Sequence, residues 1–316
     1  MNQTNATAEC DYCIPRDIGV LVILDNSSGA SNNTLALKTL KCYCAAKNYT
    51  FDVLRLRHNG NYSMRCPQKN FYLQRHCVVV EYMKSKPHLK WILFLDGDVG
   101  VINPRHEIEE FINETTEPEI ELIFYERLIT WEIMAGSYLA KNTPFAHDFL
   151  TEWANYSSSN AYHRNDQGPL HQELLKRFQS FRICEEFYNS SSDYQSYLVY
   201  VACARYFLDI NTRTFGSHIK LIRHGDAWLR DGSKKVTSFW SNRDFIFHGW
   251  KESENNWIRP FIKEDAFQLS KCRLGRNRTQ EAIFTENWQY IETLKEPDIE
   301  IEAIIDQEKK QINSWI

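Results

Sequence analysis

The chain has 316 residues, 43% hydrophobic and 14% aromatic, enough apolar material for one large domain or a domain with a sizeable appendage. Lys and Arg total 37 against 41 Asp and Glu, a net charge of -4, so no basic field points to nucleic acid or an anionic membrane, and the expected partner is a small molecule or a neutral polymer. No run of about 18 apolar residues occurs, so no membrane span is expected in this sequence.

Residues 1–15 read as a polar leader. Ile18 to Leu24 is a continuous apolar run of strand length, and Asp25-Asn26-Ser27-Ser28-Gly29 behind it is turn chemistry at the strand's C-terminal end. A parallel sheet meets a nucleotide at such an end, which makes Asp25 and Asn26 candidate nucleotide contacts. No G-x-G-x-x-G follows, so the dinucleotide fingerprint of dehydrogenases is excluded. Asn33 to Asn48 has helical spacing and Phe51 to Leu56 alternates as a strand, completing one βαβ unit. Phe71 to Lys86, which carries Arg75, is a second amphipathic helix stopped by Pro87.

Trp91 to Leu95 is an unbroken apolar run, the mark of a strand buried on both faces in a mostly parallel sheet. Asp96 and Asp98 then emerge with only Gly97 between them. Two like charges that close repel unless a cation sits between them, and a hard divalent ion meets that need. Farther on, Asn103 to Ile112 reads as a short helix, Ile120 to Tyr125 and Ala135 to Ala140 as strands, and Pro144 to Tyr156 and Gly168 to Phe178 as helices. Leu198 to Ile210 and Ile219 to Arg223 are expected as strands or short mixed segments of a second lobe. Phe245 to Phe247 is a short strand, and a helical tail broken at Pro297 occupies 281–316. His248, following that strand, is a suitable third ligand for Mn²⁺; Gly249 lets backbone approach a phosphate and Lys251 offers it a point charge.

WILFLDGDVGVINP, NDQGPLHQELL and IFHGWK together resemble the metal-dependent glycosyltransferases of the GT-A fold, and most closely an uncharacterised, largely nematode family related to the yeast-type galactosyl and mannosyl transferases. The likeness runs from about Ile18 to Trp257. It implies an α/β, GT-A-like domain over 16–280 with a mostly parallel central sheet, flanking helices and a C-terminal acceptor-side lobe, divided into a nucleotide-binding half (16–129) and an acceptor half (130–280). It also implies a nucleotide-diphosphate sugar as donor, Mn²⁺ or Mg²⁺ as cofactor, and transfer of a hexose to a hydroxyl of a glycan or glycoprotein. By that likeness Asp98 binds the metal directly and Asp96 contacts both ribose and metal. Asp166 and Gln167, at a helix start, lie under the anomeric carbon as the catalytic, donor-sugar pair. Arg75 is aimed at the donor, and Gly136 and Ser137 line the sugar pocket beside Trp131 and Ala135. The spacing His-Gly-Trp-Lys is shorter than in some relatives.

Two other classes remain open. LFLDGDVGV resembles the nucleophile loop of aspartate-dependent phosphatases, with Gly225-Asp226 and Asp231 imitating their second metal motif; against this, two strand and helix steps precede Asp96. The second is a non-catalytic sugar-binding protein. An EF-hand fails because Val101 stands where its loop needs glycine.

Nine cysteines lack the paired C-x-x-C units of a zinc site, and ten Asn-x-Ser/Thr sequons occur, at Asn2, Asn5, Asn26, Asn32, Asn48, Asn61, Asn113, Asn155, Asn189 and Asn277. Together they lead us to expect a secretory-pathway lumen, the Golgi, with disulfides and glycans, although no signal or anchor segment is visible.

Overall fold

The computed structural model describes residues 16–25, 34–56, 60–157, 165–179, 183–231, 238–250, 258–275 and 278–313. In chain order the elements are β1 (Ile18–Leu24), α1 (Thr34–Lys47), β2 (Thr50–Arg55), α2 (Gly60–Arg65), α3 (Phe71–Ser85), β3 (Trp91–Leu95), β4 (Val99–Val101), β5 (Leu122–Tyr125), β6 (Ser137–Lys141), α4 (Pro144–Ala154), α5 (Gln167–Phe178), α6 (Ile183–Ser190), α7 (Tyr194–Phe207), β7 (Thr214–Phe215), β8 (Ile219–Ile222), β9 (Leu229–Asp231), β10 (Ile246–His248), α8 (Gln280–Asn287) and α9 (Asp298–Asn313).

A seven-stranded sheet in the order β2-β1-β3-β6-β5-β8-β7 forms the centre. β1 pairs in parallel with both β2 and β3, β5 is parallel to β8, and β6 and β7 run against their neighbours, so most of the strands share one direction, as the sequence predicts. Every residue of β1 and β3 is buried because both faces of the sheet are covered. The pleat divides their side chains between two cores. Val20, Val22, Leu93 and Leu95 pack with α1 and the tryptophans Trp228, Trp240, Trp250 and Trp288. Leu21, Ile23, Ile92 and Phe94 pack with Val78, Phe149, Trp153, Leu174 and Tyr200 of α3, α4, α5 and α7.

A second sheet, β4-β10-β9, abuts the ends of the first. The turn Asp96-Gly97-Asp98 is the link between β3 of the large sheet and β4 of the small one, which places both carboxylates where the two sheets meet.

Three segments differ from the sequence expectation. Leu198 to Ile210, expected as strands or short mixed segments, lies mostly in α7. An Asp193 and Ser196 capping box starts this helix, Tyr197, Tyr200, Val201 and Ala204 form one buried face, and Val199 and Tyr206 point outward. Asn103 to Ile112 contains only a 3-10 turn at Ile108–Phe111. The segment from residue 281, expected as a helical tail broken at Pro297, forms α8 and α9 on either side of Pro297 but packs into the body: Ile283, Phe284 and Trp288 join the core, Trp288 Nε1 donates to the Val101 carbonyl at 3.0 Å, and Ile301 and Ile305 pack on Leu128. Disulfides join Cys42 to Cys272, Cys66 to Cys77 and Cys184 to Cys203, and Cys44 is a buried free thiol. Among the described residues no helix is long and apolar enough to cross a membrane.

Candidate active site

A cleft of about 630 Å³ opens at the C-terminal ends of β1 and β3. That is the size range of small-molecule and cofactor sites and the usual place for a ligand in an open α/β sheet. Its floor carries Asp96 and Asp98, and β10 brings His248 to them from about 150 positions later in the chain. β10 runs antiparallel to β4 with His248 opposite Val99, and the amides of Gly249 and Trp250 both donate to the Asp98 carbonyl at 3.0 Å. Gly249 takes φ 99°, a left-handed conformation that favours glycine. Donor atoms of Asp96, Asp98 and His248 all lie within 4.8 Å of one another. Two carboxylate oxygens and an imidazole nitrogen form a ligand set suited to Mn²⁺ or a similar first-row divalent ion, so the residues present fit the metal that the sequence implies.

The imidazole is held from both sides. Nε2 is 3.3 Å from Asp98 Oδ1, and Nδ1 is 2.9 Å from Asp231 Oδ1. Burial alone would lower its pKa, but Asp98 and Asp231 outweigh burial and push it up to about 10. Burial works against the Asp231 carboxylate as well, yet Arg127 and His248 hold it down to about 2.

The opposite wall is a buried ion network. The Arg75 guanidinium pairs with Asp96 through one nitrogen and with Asp166 Oδ2 at 2.6 Å through another. Asp166 also accepts from His76 Nε2 at 2.9 Å, and that ring stacks on Trp153 with centroids 3.4 Å apart. Burial raises the Asp166 pKa, but Arg75 and His76 overcome it and leave the carboxyl at about 2. Asp96 is shifted upward, by burial first and then by Asp98 and Asp166, against the opposing pull of Arg75.

Asp25, Arg75, Asp96, Asp98, Gly136, Asp166, Gln167 and His248 all line this one cleft, although they come from distant parts of the chain. Gly136 leaves no room for a side chain, since a Cβ there would fall 2.0 Å from Asp96 Oδ2. Gln167 reaches the cleft, but its side-chain amide clamps the backbone, accepting from Ala135 N at 3.2 Å and donating to the Ile133 carbonyl. Ser137 does not reach it. Being next to Gly136 on a strand, it points the other way, is fully buried, and accepts from Trp228 Nε1 at 2.9 Å. Asn26 and Lys251 lie outside the described residues.

The sequence reading missed His76, Arg127 and Glu132, and weighed Asp231 only for a phosphatase. Arg127 and Glu132 line the cleft, with Glu132 also accepting from Thr130 Oγ1 and the Tyr197 hydroxyl, both at 2.9 Å. The pattern Arg-x-x-x-x-Glu after a buried strand was the available signal, and it is a weak one. Asp226, which a phosphatase would need beside Asp96, is 53% exposed and faces Arg243 and Lys309 at 4.0 and 3.9 Å.

These features define a mixed α/β protein with an acidic cleft at a sheet edge and a convergent Asp, Asp and His set. The chain belongs to the family described as "Protein of unknown function, DUF273", which matches residues 40–261. No curated protein matches it. Among solved structures it is similar to a glycosyltransferase involved in the glycosylation of the major capsid of PBCV-1, at 13% identity over 73% of this chain and 92% of that one, with a TM-score of 0.42. It is also similar to A197 from STIV, at 12% identity over 48% of this chain and 75% of that one, with a TM-score of 0.29.

Proposed function

We propose that this protein is a divalent-metal-dependent glycosyltransferase that moves a hexose from a nucleotide-diphosphate sugar to a hydroxyl of a glycan or glycoprotein. The observation that carries the reading is the convergence of Asp96, Asp98 and His248 in a cleft at the C-terminal sheet edge. The charge of that cleft supports it. Asp25, Asp96, Asp98, Glu132 and Asp166 line it against Arg75 and Arg127, with His248 beside them. A diphosphate would be repelled by such a surface, so an anionic donor requires a divalent cation to enter with it. When bound, that ion neutralises the charge growing on the leaving diphosphate.

The chain's own residues then take separate parts. Asp98 and His248 hold the ion, with Asp96 beside them, and Asp25 faces the nucleoside end from β1. Asp166 faces the donor sugar, kept ionised by Arg75 and His76. Arg75 has both terminal nitrogens engaged by carboxylates, so its part is to space Asp96 from Asp166. Gln167 fixes the strand that carries Gly136. In the reaction the bond from the anomeric carbon to the phosphate oxygen breaks, a bond to the acceptor oxygen forms, and the acceptor's proton leaves with a base. Three disulfides and the exposed sequons at Asn61, Asn113, Asn155 and Asn189 support a lumenal, Golgi-type compartment.

Incubation with Mn²⁺ and a panel of nucleotide sugars tests this. One donor should release nucleoside diphosphate slowly without an acceptor, and Asp98→Asn and His248→Ala should abolish that release and weaken Mn²⁺ binding. Failure to bind Mn²⁺, or to process any donor, would refute the reading; metal-dependent donor binding without turnover would favour a sugar-binding protein.

A further inference from the structure

His248 presents one ring nitrogen to the proposed metal set and the other to a carboxylate that lies outside it. Asp231 is buried and is not among the converging donor atoms. β9 and β10 pair in parallel with His248 directly opposite Asp231, so the 2.9 Å contact between Nδ1 and Oδ1 is set by backbone register. The residue before Asp231 secures that register. Arg230 donates to both oxygens of Asp244 at 2.7 Å, and its guanidinium lies 4.3 Å from the ring centroid of Phe247 on β10. From the far side, Arg127 Nη2 stands 3.6 Å from Asp231 Oδ1.

We propose that Asp231 is a positioning residue that fixes the tautomer and ring orientation of His248 toward the divalent ion. This rests on the reading of Asp96, Asp98 and His248 as the metal ligands. A histidine ligand must give up one ring proton to coordinate an ion, and the neutral imidazole that remains carries a single N–H. An ionised carboxylate can only accept, so it holds that proton on Nδ1 and leaves the lone pair of Nε2 facing the space shared with Asp96 and Asp98. Without Asp231 the proton is free to sit on Nε2, where it would block coordination, and the ring is free to turn. Carboxylate partners of metal-bound histidines typically matter about 10- to 100-fold in metal affinity. Arg127 extends the relay to Glu132, so the loop at the end of β5 is coupled to the ligand histidine through two ion pairs.

The test uses the full chain and its Asp231→Ala and Asp231→Asn variants. Mn²⁺ affinity is read from the free-ion electron paramagnetic resonance signal. The His248 tautomer is read by long-range ¹H–¹⁵N correlation of the Mg²⁺-loaded, histidine-labelled protein. Asp231→Ala should bind Mn²⁺ about 10- to 100-fold more weakly and lose the pure Nδ1–H signature. Asp231→Asn, whose amide oxygen still accepts, should keep the signature and most of the affinity, and it keeps the test open if the alanine variant folds poorly. Wild-type affinity and an unchanged tautomer in Asp231→Ala would overturn the inference while leaving the metal reading intact. A wild-type protein that binds no Mn²⁺ would overturn both.

Discussion

Replacing Gly136 by alanine asks whether Asp96 works by being where it is. The new Cβ would lie 2.0 Å from Asp96 Oδ2, 2.7 Å from its Cγ and 2.8 Å from Met134 Cε, whereas ordinary contact begins near 3.4 Å. The carboxylate must therefore retreat by about 1 Å or more, a displacement that typically costs on the order of 100-fold in a reacting site. It cannot retreat freely, because Arg75 holds it and Arg75 is itself anchored to Asp166 at 2.6 Å. The fold has more latitude than the site. Gly136 has ordinary backbone angles that alanine can adopt, and the atom that must give way ends a side chain, so about 1 to 3 kcal/mol of overpacking is expected rather than collapse. Gly136→Ala should therefore melt cooperatively and only modestly below wild type, yet bind Mn²⁺ weakly and hydrolyse donor about 100-fold more slowly. Gly275→Ala, where nothing lies within 4 Å of the added Cβ, is the control. Melting curves, Mn²⁺ titration and donor hydrolysis measure the three quantities. Wild-type metal affinity and turnover in Gly136→Ala would refute the reasoning, because Asp96 would then be free to move without consequence.

His171 should make stability fall with acid. Its Nε2 accepts from Ile133 N at 3.1 Å and its Nδ1 faces the Gln167 carbonyl at 3.0 Å, so only the neutral ring suits both partners; burial is the main cause of a pKa near 3. Below about 6.5 the unfolded chain takes up a proton that the folded chain refuses, so stability falls from there until pH reaches the folded value, by about 3 kcal/mol at pH 4.5. Urea melts of wild type and His171→Gln should show the variant less stable at neutral pH but flatter with pH, and equal slopes would contradict the assignment. The Cys42 to Cys272 disulfide spans 230 residues and the Cys66 to Cys77 disulfide spans 11, so chain entropy predicts losses of roughly 5 and 3 kcal/mol when each pair becomes serine; denaturant titration giving the reverse order would oppose that account. Expressed through a eukaryotic secretory pathway, the protein should carry glycans at several of the exposed Asn61, Asn113, Asn155 and Asn189, and none at half-buried Asn48, whose φ is 59°. Gel mobility unchanged by endoglycosidase would rule out the lumenal assignment.

The parts legible in the sequence were those whose cause is local. β1 and β3 are apolar at every position because both of their faces are buried, and that pattern survives translation into letters. The Asp-Gly-Asp turn and the helix start at Asp166 are local chemistry too, and both border the cleft. The α7 segment was legible only in part: the Asp193 cap and the spacing of Tyr197, Tyr200 and Ala204 determine a helix where strands or short mixed segments were expected. Side-chain direction needed the register as well. Gly136 and Ser137 are adjacent and equally small, yet the pleat sends one toward Asp96 and the other to Trp228. The pairing of Asp231 leaves no sequence trace: its phosphatase-like spacing from Gly225-Asp226 points elsewhere, and its place against His248 appears only when β9 lies beside β10. The same holds for the cleft's charge. A chain with a net charge of -4 gives no hint of local excess. Yet the sheet gathers Asp25, Asp96, Asp98, Glu132 and Asp166 around one opening. Each reads as an ordinary polar residue in its own segment, and only the fold shows that five carboxylates share one opening with just two arginines, Arg75 and Arg127, and His248.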